Sequence, residues 1–155
     1  MILIGDSGST KTDWCMAKEG KSLGRFQTSG INPFQQDRNE IDTALRSEVL
    51  PAIGQASSIR AVYFYGAGCT PAKAPMLYEA LDSMLPHCDR IEVAGDMLGA
   101  ARALCGDSEG IACILGTGSN SCLFDGREIK ANVSPLGYIL GDEGSGAVLG
   151  RLFIG

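Results

Sequence analysis

The chain has 155 residues, of which 45% are hydrophobic and 20% charged, enough apolar material for a core and too little charge for a disordered segment. Its net charge of −5, with no basic run, argues against nucleic acid and anionic membranes as partners. No apolar stretch approaches the roughly 18 residues of a membrane span, and the N-terminus lacks a basic flank and an apolar signal core, so the expected location is cytoplasmic.

The first element predicted is a strand from Ile2 that ends in a lone carboxylate, Asp6. A small-residue turn follows, then a second strand through Trp14-Cys15-Met16-Ala17. Gly8 can take a positive φ there, and successive backbone N–H groups in such a turn form an anion-binding nest. Ser9, Thr10, Lys11 and Thr12 add donors, and Asp6 is placed to hold a hydrated Mg2+ beside bound phosphates. A Walker A loop would need glycine at position 10, where Thr10 stands, and a helix directly after it. A surface hairpin without ligand remains the plain alternative for this stretch.

Lys21 to Ser29 reads as a third strand, followed by the loop Gly30-Ile31-Asn32-Pro33. Asp37 and Glu40 form a capping box, and Ile41, Ala44, Leu45, Val49 and Ala52 repeat at helical spacing, so a helix is expected from Asp37 to about Ile53. Ala61-Val62-Tyr63-Phe64-Tyr65 suits a buried parallel strand and ends in the turn Gly66-Ala67-Gly68. Thr70-Pro71 is expected to open the next helix, with Leu77, Ala80, Leu81, Met84 and Leu85 on its buried face. His87, after Pro86, falls in a loop.

Ile91 to Gly95 is the next strand, and Asp96 opens a helix ending at Cys105, with Gly106 beyond it. Residues 106–110 read as a linker. Ile111 to Leu115 and Ser121 to Phe124 form a second hairpin around Gly116-Thr117-Gly118-Ser119-Asn120, and Glu128 to Ala131 is a further short strand. Pro135 to Gly141 is expected as loop, and Asp142-Glu143-Gly144-Ser145-Gly146 leads into an apolar helix from Ala147. The order β-β-β-α-β-α-β-α implies a mixed sheet with helices on its faces, an α/β fold. The six cysteines show no C-x-x-C pair and no zinc spacing, and are expected as free thiols.

Two glycine turns and acids at strand ends suit phosphoryl transfer, which needs positioning and charge stabilisation more than covalent chemistry. Asp96 and Asp142 read equally well as plain helix caps at this level.

The motifs narrow this. Gly5-Asp6-Ser7-Gly8-Ser9-Thr10-Lys11-Thr12, Val93-Ala94-Gly95-Asp96, Leu115-Gly116-Thr117-Gly118-Ser119-Asn120 and Leu140-Gly141-Asp142-Glu143-Gly144-Ser145-Gly146 occur in this order. In them the chain resembles the actin, hexokinase and heat-shock-chaperone ATPase superfamily. Within it, the chain is most similar to the family joining N-acetylglucosamine kinases with the activator ATPases of benzoyl-CoA reductase and 2-hydroxyacyl-CoA dehydratases. The resemblance implies a ribonuclease-H-like fold with one lobe over residues 1–107 and the beginning of a second over 108–155. It implies ATP and Mg2+ as cofactors and a small sugar, N-acetylglucosamine or a related hexosamine, as substrate.

By the same resemblance Asp6 positions Mg2+, and Gly8, Ser9, Thr10, Lys11 and Thr12 surround the phosphates. Asp96 is the base toward the sugar hydroxyl, and Thr117, Gly118 and Ser119 hold the terminal phosphate. Asn32, Gly66, Ala67, Gly68, Asn120, Gly137, Tyr138 and Asp142 make up the sugar site. The alternatives are an activator-type ATPase acting on a partner enzyme, or a sugar or nucleotide sensor without turnover. The activators carry a cluster-binding cysteine just before the second phosphate turn; Ile114-Leu115 stands there, which disfavours that branch. Family members run to about twice this length, so the chain by itself is expected to be a poor kinase that self-associates or forms a homodimer.

Overall fold

A computed structural model describes residues 1–133 and 135–155. They form two compact units, Met1–Asp96 and Met97–Gly155.

The first unit is built on a five-stranded sheet, ordered β3-β2-β1-β4-β5. Its strands are β1 (Ile2–Ser7), β2 (Lys11–Lys18), β3 (Lys21–Ser29), β4 (Ala61–Gly66) and β5 (Arg90–Gly95). β1, β2 and β3 meander antiparallel, while β1, β4 and β5 run parallel. Period-two alternation turns Leu3, Gly5 and Ser7 of β1, and Val62, Phe64 and Gly66 of β4, to the buried face. That face packs against α1 (Arg38–Ala44), the turn of residues 45–49 that follows it, α2 (Leu50–Ile53) and α3 (Ala74–Met84) through Ile41, Leu45, Val49, Ile53, Leu77, Leu81 and Met84. Trp14 is buried in the same core between the rings of Phe26 and Phe64, and its indole N–H donates to Thr28 Oγ1 at 2.9 Å.

The helix expected over residues 37–53 is present, but it is interrupted. Between α1 and α2, residues Leu45–Val49 form a π-helical turn in which Leu50 N–H reaches Leu45 O. Pro51 supplies the reason: it has no N–H, and its ring crowds the carbonyl four residues back, so the preceding turn widens. The capping box is made as expected, with Glu40 N–H donating to Asp37 Oδ1 at 2.9 Å and Asp37 N–H donating to Glu40 Oε2 at 2.8 Å. Asp37→Ala is therefore expected to cost about 1 kcal/mol, measurable as a melting temperature lower by about 2–4 °C.

The next helix begins later than Thr70-Pro71. Residues Thr70 to Lys73 make turns closed by Lys73 and Ala74 N–H on Thr70 O, and α3 starts at Ala74. Pro75 cannot donate back to Pro71, so the regular hydrogen-bond ladder begins only beyond it.

The second unit contains α4, which runs Asp96–Cys105 and so begins on the last residue of the first unit. A three-stranded antiparallel sheet follows, β6 (Glu109–Leu115), β7 (Ser119–Asp125) and β8 (Ile129–Val133). Met97 and Ala101 of α4 are buried with Ala112, Cys122 and Phe124. The expected linker over 106–110 is shorter, because β6 already begins at Glu109 to pair with Asp125. The expected loop over Pro135 to Gly141 contains a helical turn, α5 (Gly137–Leu140), closed by Gly141 N–H on Gly137 O. The last helix, α6 (Gly146–Ile154), is capped by Ser145, whose hydroxyl accepts from Val148 N–H at 3.2 Å. All six cysteines are free, and among the described residues no helix is long and apolar enough to cross a membrane.

Candidate functional site

In the first unit the parallel strands end together. Ser7 of β1 stands opposite Gly66 of β4, and Gly66 stands opposite Gly95 of β5. The turn after β1, the loop after β4 and Asp96 after β5 therefore leave the sheet at one edge, the carboxyl edge at which α/β folds hold ligands.

Asp6 points away from the helical layer, on the face opposite Ser7. Its carboxyl is pushed above the usual value of 3.8, first by loss of water to the protein packed around it, then by the charges of Asp13 and Asp96, against a smaller pull from Lys11. The Asp96 carboxylate also acts on Cys69, whose thiol is pushed up to about 12, mainly by burial and then by that charge. Cys69 is thus a neutral thiol at physiological pH, and Asp96 lies near both Asp6 and the loop after β4.

A carboxylate raised first by loss of water and then by nearby negative charge is one that a divalent cation would relieve. Among the described residues no group of three or more ligating side chains could chelate a bare ion. A Mg2+ that keeps most of its waters needs only one or two carboxylates and the phosphates it accompanies, and Asp6 suits that role.

The first turn is tighter than expected, since β2 already starts at Lys11; it spans Gly8 to Thr10 and is closed by Gly8 N–H on Lys11 O at 3.0 Å. Gly8 does not use a positive φ. A side chain there would meet only Lys11 O at 3.9 Å, so glycine here leaves the turn open to approach from outside. Ser9 and Thr10 are exposed. Lys11 forms a 2.9 Å ion pair with Asp13, which also accepts from Gln27 of β3. These two hydrogen bonds hold the Asp13 carboxyl below its usual range. Thr12 faces the other way: it is 0% exposed, and its hydroxyl lies 2.7 Å from Ser7 Oγ and 3.1 Å from Ser29 O. The motifs of the sequence do not mark Asp13. Its signal is the two-residue spacing from Lys11, which puts both on one face of β2.

Asn32 is only 7% exposed. Its Oδ1 accepts from Phe34 N–H at 2.9 Å, and its own N–H donates to Gln36 Oε1 at 2.7 Å. Gly68 crosses directly beside it with φ +77°, and a Cβ on Gly68 would overlap Asn32 Oδ1. Gly66, Ala67 and Gly68 are drawn in by Ala67 N–H on Ser7 O at 2.9 Å.

In the second unit the hairpin turn is Gly116 to Gly118, with Ser119 and Asn120 already in β7. Asn120 Oδ1 accepts from Ser121 N–H and from Asn132 Nδ2 at 2.9 and 2.8 Å. The turn is tied to the start of α6 by Gly146 N–H on Gly116 O at 2.8 Å and by Ala147 N–H on Thr117 O at 3.4 Å. Asp142 comes so close that a Cβ on Gly118 would lie 2.9 Å from its Oδ2. Asp142 does not cap α6. It sits in the left-handed region at φ 64° while its Oδ1 accepts from Gly137 N–H at 3.2 Å. Left-handed backbone at a non-glycine residue is a strain that clusters at functional positions. Tyr138, beside Gly137, accepts from Arg151 through its carbonyl at 2.9 Å, and its ring side is exposed. The structure thus gathers Thr117, Gly118, Gly137, Tyr138 and Asp142 within this unit.

No family model matches the chain, and no curated protein matches it. Solved structures do. A Porphyromonas gingivalis protein, provisionally described as an N-acetylglucosamine kinase, is 98% identical over 99% of this chain, with a TM-score of 0.96. A Chromobacterium violaceum protein with the same provisional description is 26% identical over 97% of the chain, with a TM-score of 0.70. MreB5 of Spiroplasma citri, solved with ADP, is 9% identical over 85% of the chain, with a TM-score of 0.62, a likeness of fold alone. The chain spans about half the length of these proteins: 55%, 54% and 50% respectively.

Proposed function

From the actin-like ATPase fold that the chain carries, we propose that it provides substrate-binding and catalytic residues of an ATP-dependent sugar kinase acting on N-acetylglucosamine or a related hexosamine. The observation that carries the reading is the shared carboxyl edge of β1, β4 and β5, where the turn after Asp6, the Gly66–Gly68 loop and Asp96 emerge together. Support for the substrate class comes from the two kinase-like relatives.

In this reading Asp96 accepts the proton of the sugar hydroxyl. The oxygen so freed attacks the γ-phosphorus in line, its new bond forms as the bond to the β,γ-bridging oxygen breaks, and ADP leaves. Asn32 and the Gly66–Gly68 loop orient the sugar ring. Ser9, Thr10 and the backbone N–H groups of the first turn receive phosphate oxygens. Lys11 approaches the same oxygens under the control of Asp13. In the second unit this reading assigns Thr117, Gly118 and Ser119 to a phosphate, and Asn120, Gly137, Tyr138 and Asp142 to sugar. Mg2+, when bound by Asp6, supplies neutralising charge to the phosphates. Thr12 acts from within, since its hydroxyl is committed to Ser7 and Ser29.

A coupled assay of ADP release, run over a panel of hexoses and hexosamines on a protein of the relatives' full length, tests the proposal. Phosphorylation of none of them sinks it. A companion prediction concerns Gly68. Gly68→Ala drives a methyl group into Asn32 and strains a left-handed residue, and a misplacement of about 1 Å in a positioning group can cost about 10²-fold in rate. The loss should appear in turnover and sugar affinity, with nucleotide affinity retained.

A further inference from the structure

Ser7 is the last residue of β1, 1% exposed, on the face that otherwise carries the apolar core. A hydroxyl in that place is costly unless its hydrogen bonds are made, and Ser7 makes an unusual set. Its Oγ accepts from Ile31 N–H at 3.0 Å and stands 3.0 Å from Ile31 O, in the loop that carries Asn32. It stands 2.7 Å from Thr12 Oγ1, at the far end of the phosphate turn. Its backbone carbonyl accepts from Ala67 N–H at 2.9 Å, in the loop after β4. Thr12 Oγ1 in turn reaches Ser29 O at 3.1 Å, and Gly30 N–H donates to Thr10 O at 3.1 Å.

Proton counting shows how tightly this is set. Two hydroxyl protons serve four contacts: Ser7–Ile31 O, Ser7–Thr12, Thr12–Ser29 O and a long one, Ser7–Gly8 O at 3.5 Å. With a proton in the short Ser7–Thr12 contact, the two best-placed arrangements are Thr12 donating to Ser7 with Ser7 donating to Ile31 O, and Ser7 donating to Thr12 with Thr12 donating to Ser29 O. In both arrangements the Ile31 N–H depends on Ser7 Oγ, and a displacement of the turn leaves that buried donor unpaired. The backbones also touch: a Cβ on Gly30 would lie 2.8 Å from Ser9 O and 2.9 Å from Gly8 O.

We infer that Ser7 is a positioning residue that locks the phosphate turn to both sugar-side loops, so that nucleotide and sugar each tighten binding of the other. The inference rests on the kinase reading above. A ligand that pins the turn pins residues 30–32 through the Ser7 hydroxyl and residues 66–68 through the Ser7 backbone carbonyl, and linkage makes the effect reciprocal.

The test uses a protein of the relatives' full length. Calorimetric titration with Mg2+ and a non-hydrolysable ATP analogue, with and without saturating N-acetylglucosamine, gives the ratio of the two nucleotide dissociation constants. The expected wild-type ratio is about 5-fold or more. In Ser7→Ala, which removes the hydroxyl contacts to Ile31 and Thr12 and keeps the backbone bond to Ala67, it should fall toward one while each ligand still binds alone. Gly30→Ala, which wedges the segments apart instead of deleting a bond, should give the same loss and decides the matter if Ser7→Ala does not fold. Hydrogen exchange provides a readout that needs no sugar: the nucleotide analogue alone should slow exchange of the Ile31 amide in the wild type and not in Ser7→Ala. A folded variant with the wild-type ratio, or Ile31 exchange indifferent to nucleotide, overturns the inference. A wild-type protein that shows the Ile31 response but phosphorylates no hexosamine overturns the kinase reading instead.

Discussion

Asp96→Asn is expected to lower sugar phosphorylation by about 10²–10⁴-fold, the usual consequence of removing a general base, with sugar affinity retained. Asparagine is the informative replacement. Asp96 is the first residue of α4, and asparagine caps and begins helices about as well as aspartate. A purely structural role for Asp96 therefore predicts a folded and active variant. The base role predicts a folded variant that binds sugar and does not turn over. Calorimetry for sugar binding and a coupled kinase assay separate the two, and wild-type turnover would remove Asp96 from the chemistry.

Asp6→Asn is expected to weaken the Mg2+-dependent part of nucleotide binding by about 10-fold or more, the scale on which removing groups that support a metal acts. It should also stabilise the fold at neutral pH. The sign follows from the raised pKa of Asp6, caused by loss of water and by the charges of Asp13 and Asp96. A carboxyl raised in the folded state adds stability below its ordinary value, and that stability is lost as pH rises through the raised value. Above that window the ionised Asp6 burdens the wild-type fold, and neutral asparagine does not. Melting curves should place the variant above wild type at pH 7, with the gap closing toward pH 4. Nucleotide titrations with and without Mg2+ supply the second readout. A variant whose nucleotide affinity still depends on Mg2+ as in wild type would take the metal away from Asp6.

The two expectations meet at Asp6, which feels the charges of both Asp13 and Asp96. Asp6 stands opposite Asp13 across β1 and β2, and Asp13 stands opposite Gln27 across β2 and β3. Lys11 is drawn to Asp13, so part of its charge is spent before any phosphate arrives. The first unit therefore holds one acid raised, Asp6, through loss of water and its acidic neighbours, and one lowered, Asp13, through its bonds to Lys11 and Gln27.

Much of the local structure could be read from the residues. The capping box at Asp37 and Glu40, the parallel strand Ala61–Gly66 and the end of α4 at Gly106 all depend on residues within a few positions of one another. The acids Asp6 and Asp96 could be named because each follows an apolar run and precedes a turn or helix. The misreadings were local as well. Pro51 widened a helix that periodicity drew as regular, Pro75 delayed the one expected from Thr70, and the pairing of Glu109 with Asp125 took residues assigned to a linker.

By itself the sequence determined the order of elements, the small-residue turns and the acids that follow strands, because these are set by propensity and spacing along the chain. Only the tertiary structure decided that Ser7, Gly66 and Gly95 line up on one edge, that Asp96 acts on Asp6 and Cys69, and that Ser7 and Thr12 share a buried pair of hydroxyls. Those facts depend on strand register and on the alternation of faces, where a shift of one residue would carry Asp6 into the core and Ser7 to the surface. Register is settled by the packing of Trp14, Phe64 and the helices against the sheet, contacts between residues far apart in the chain that no local pattern records.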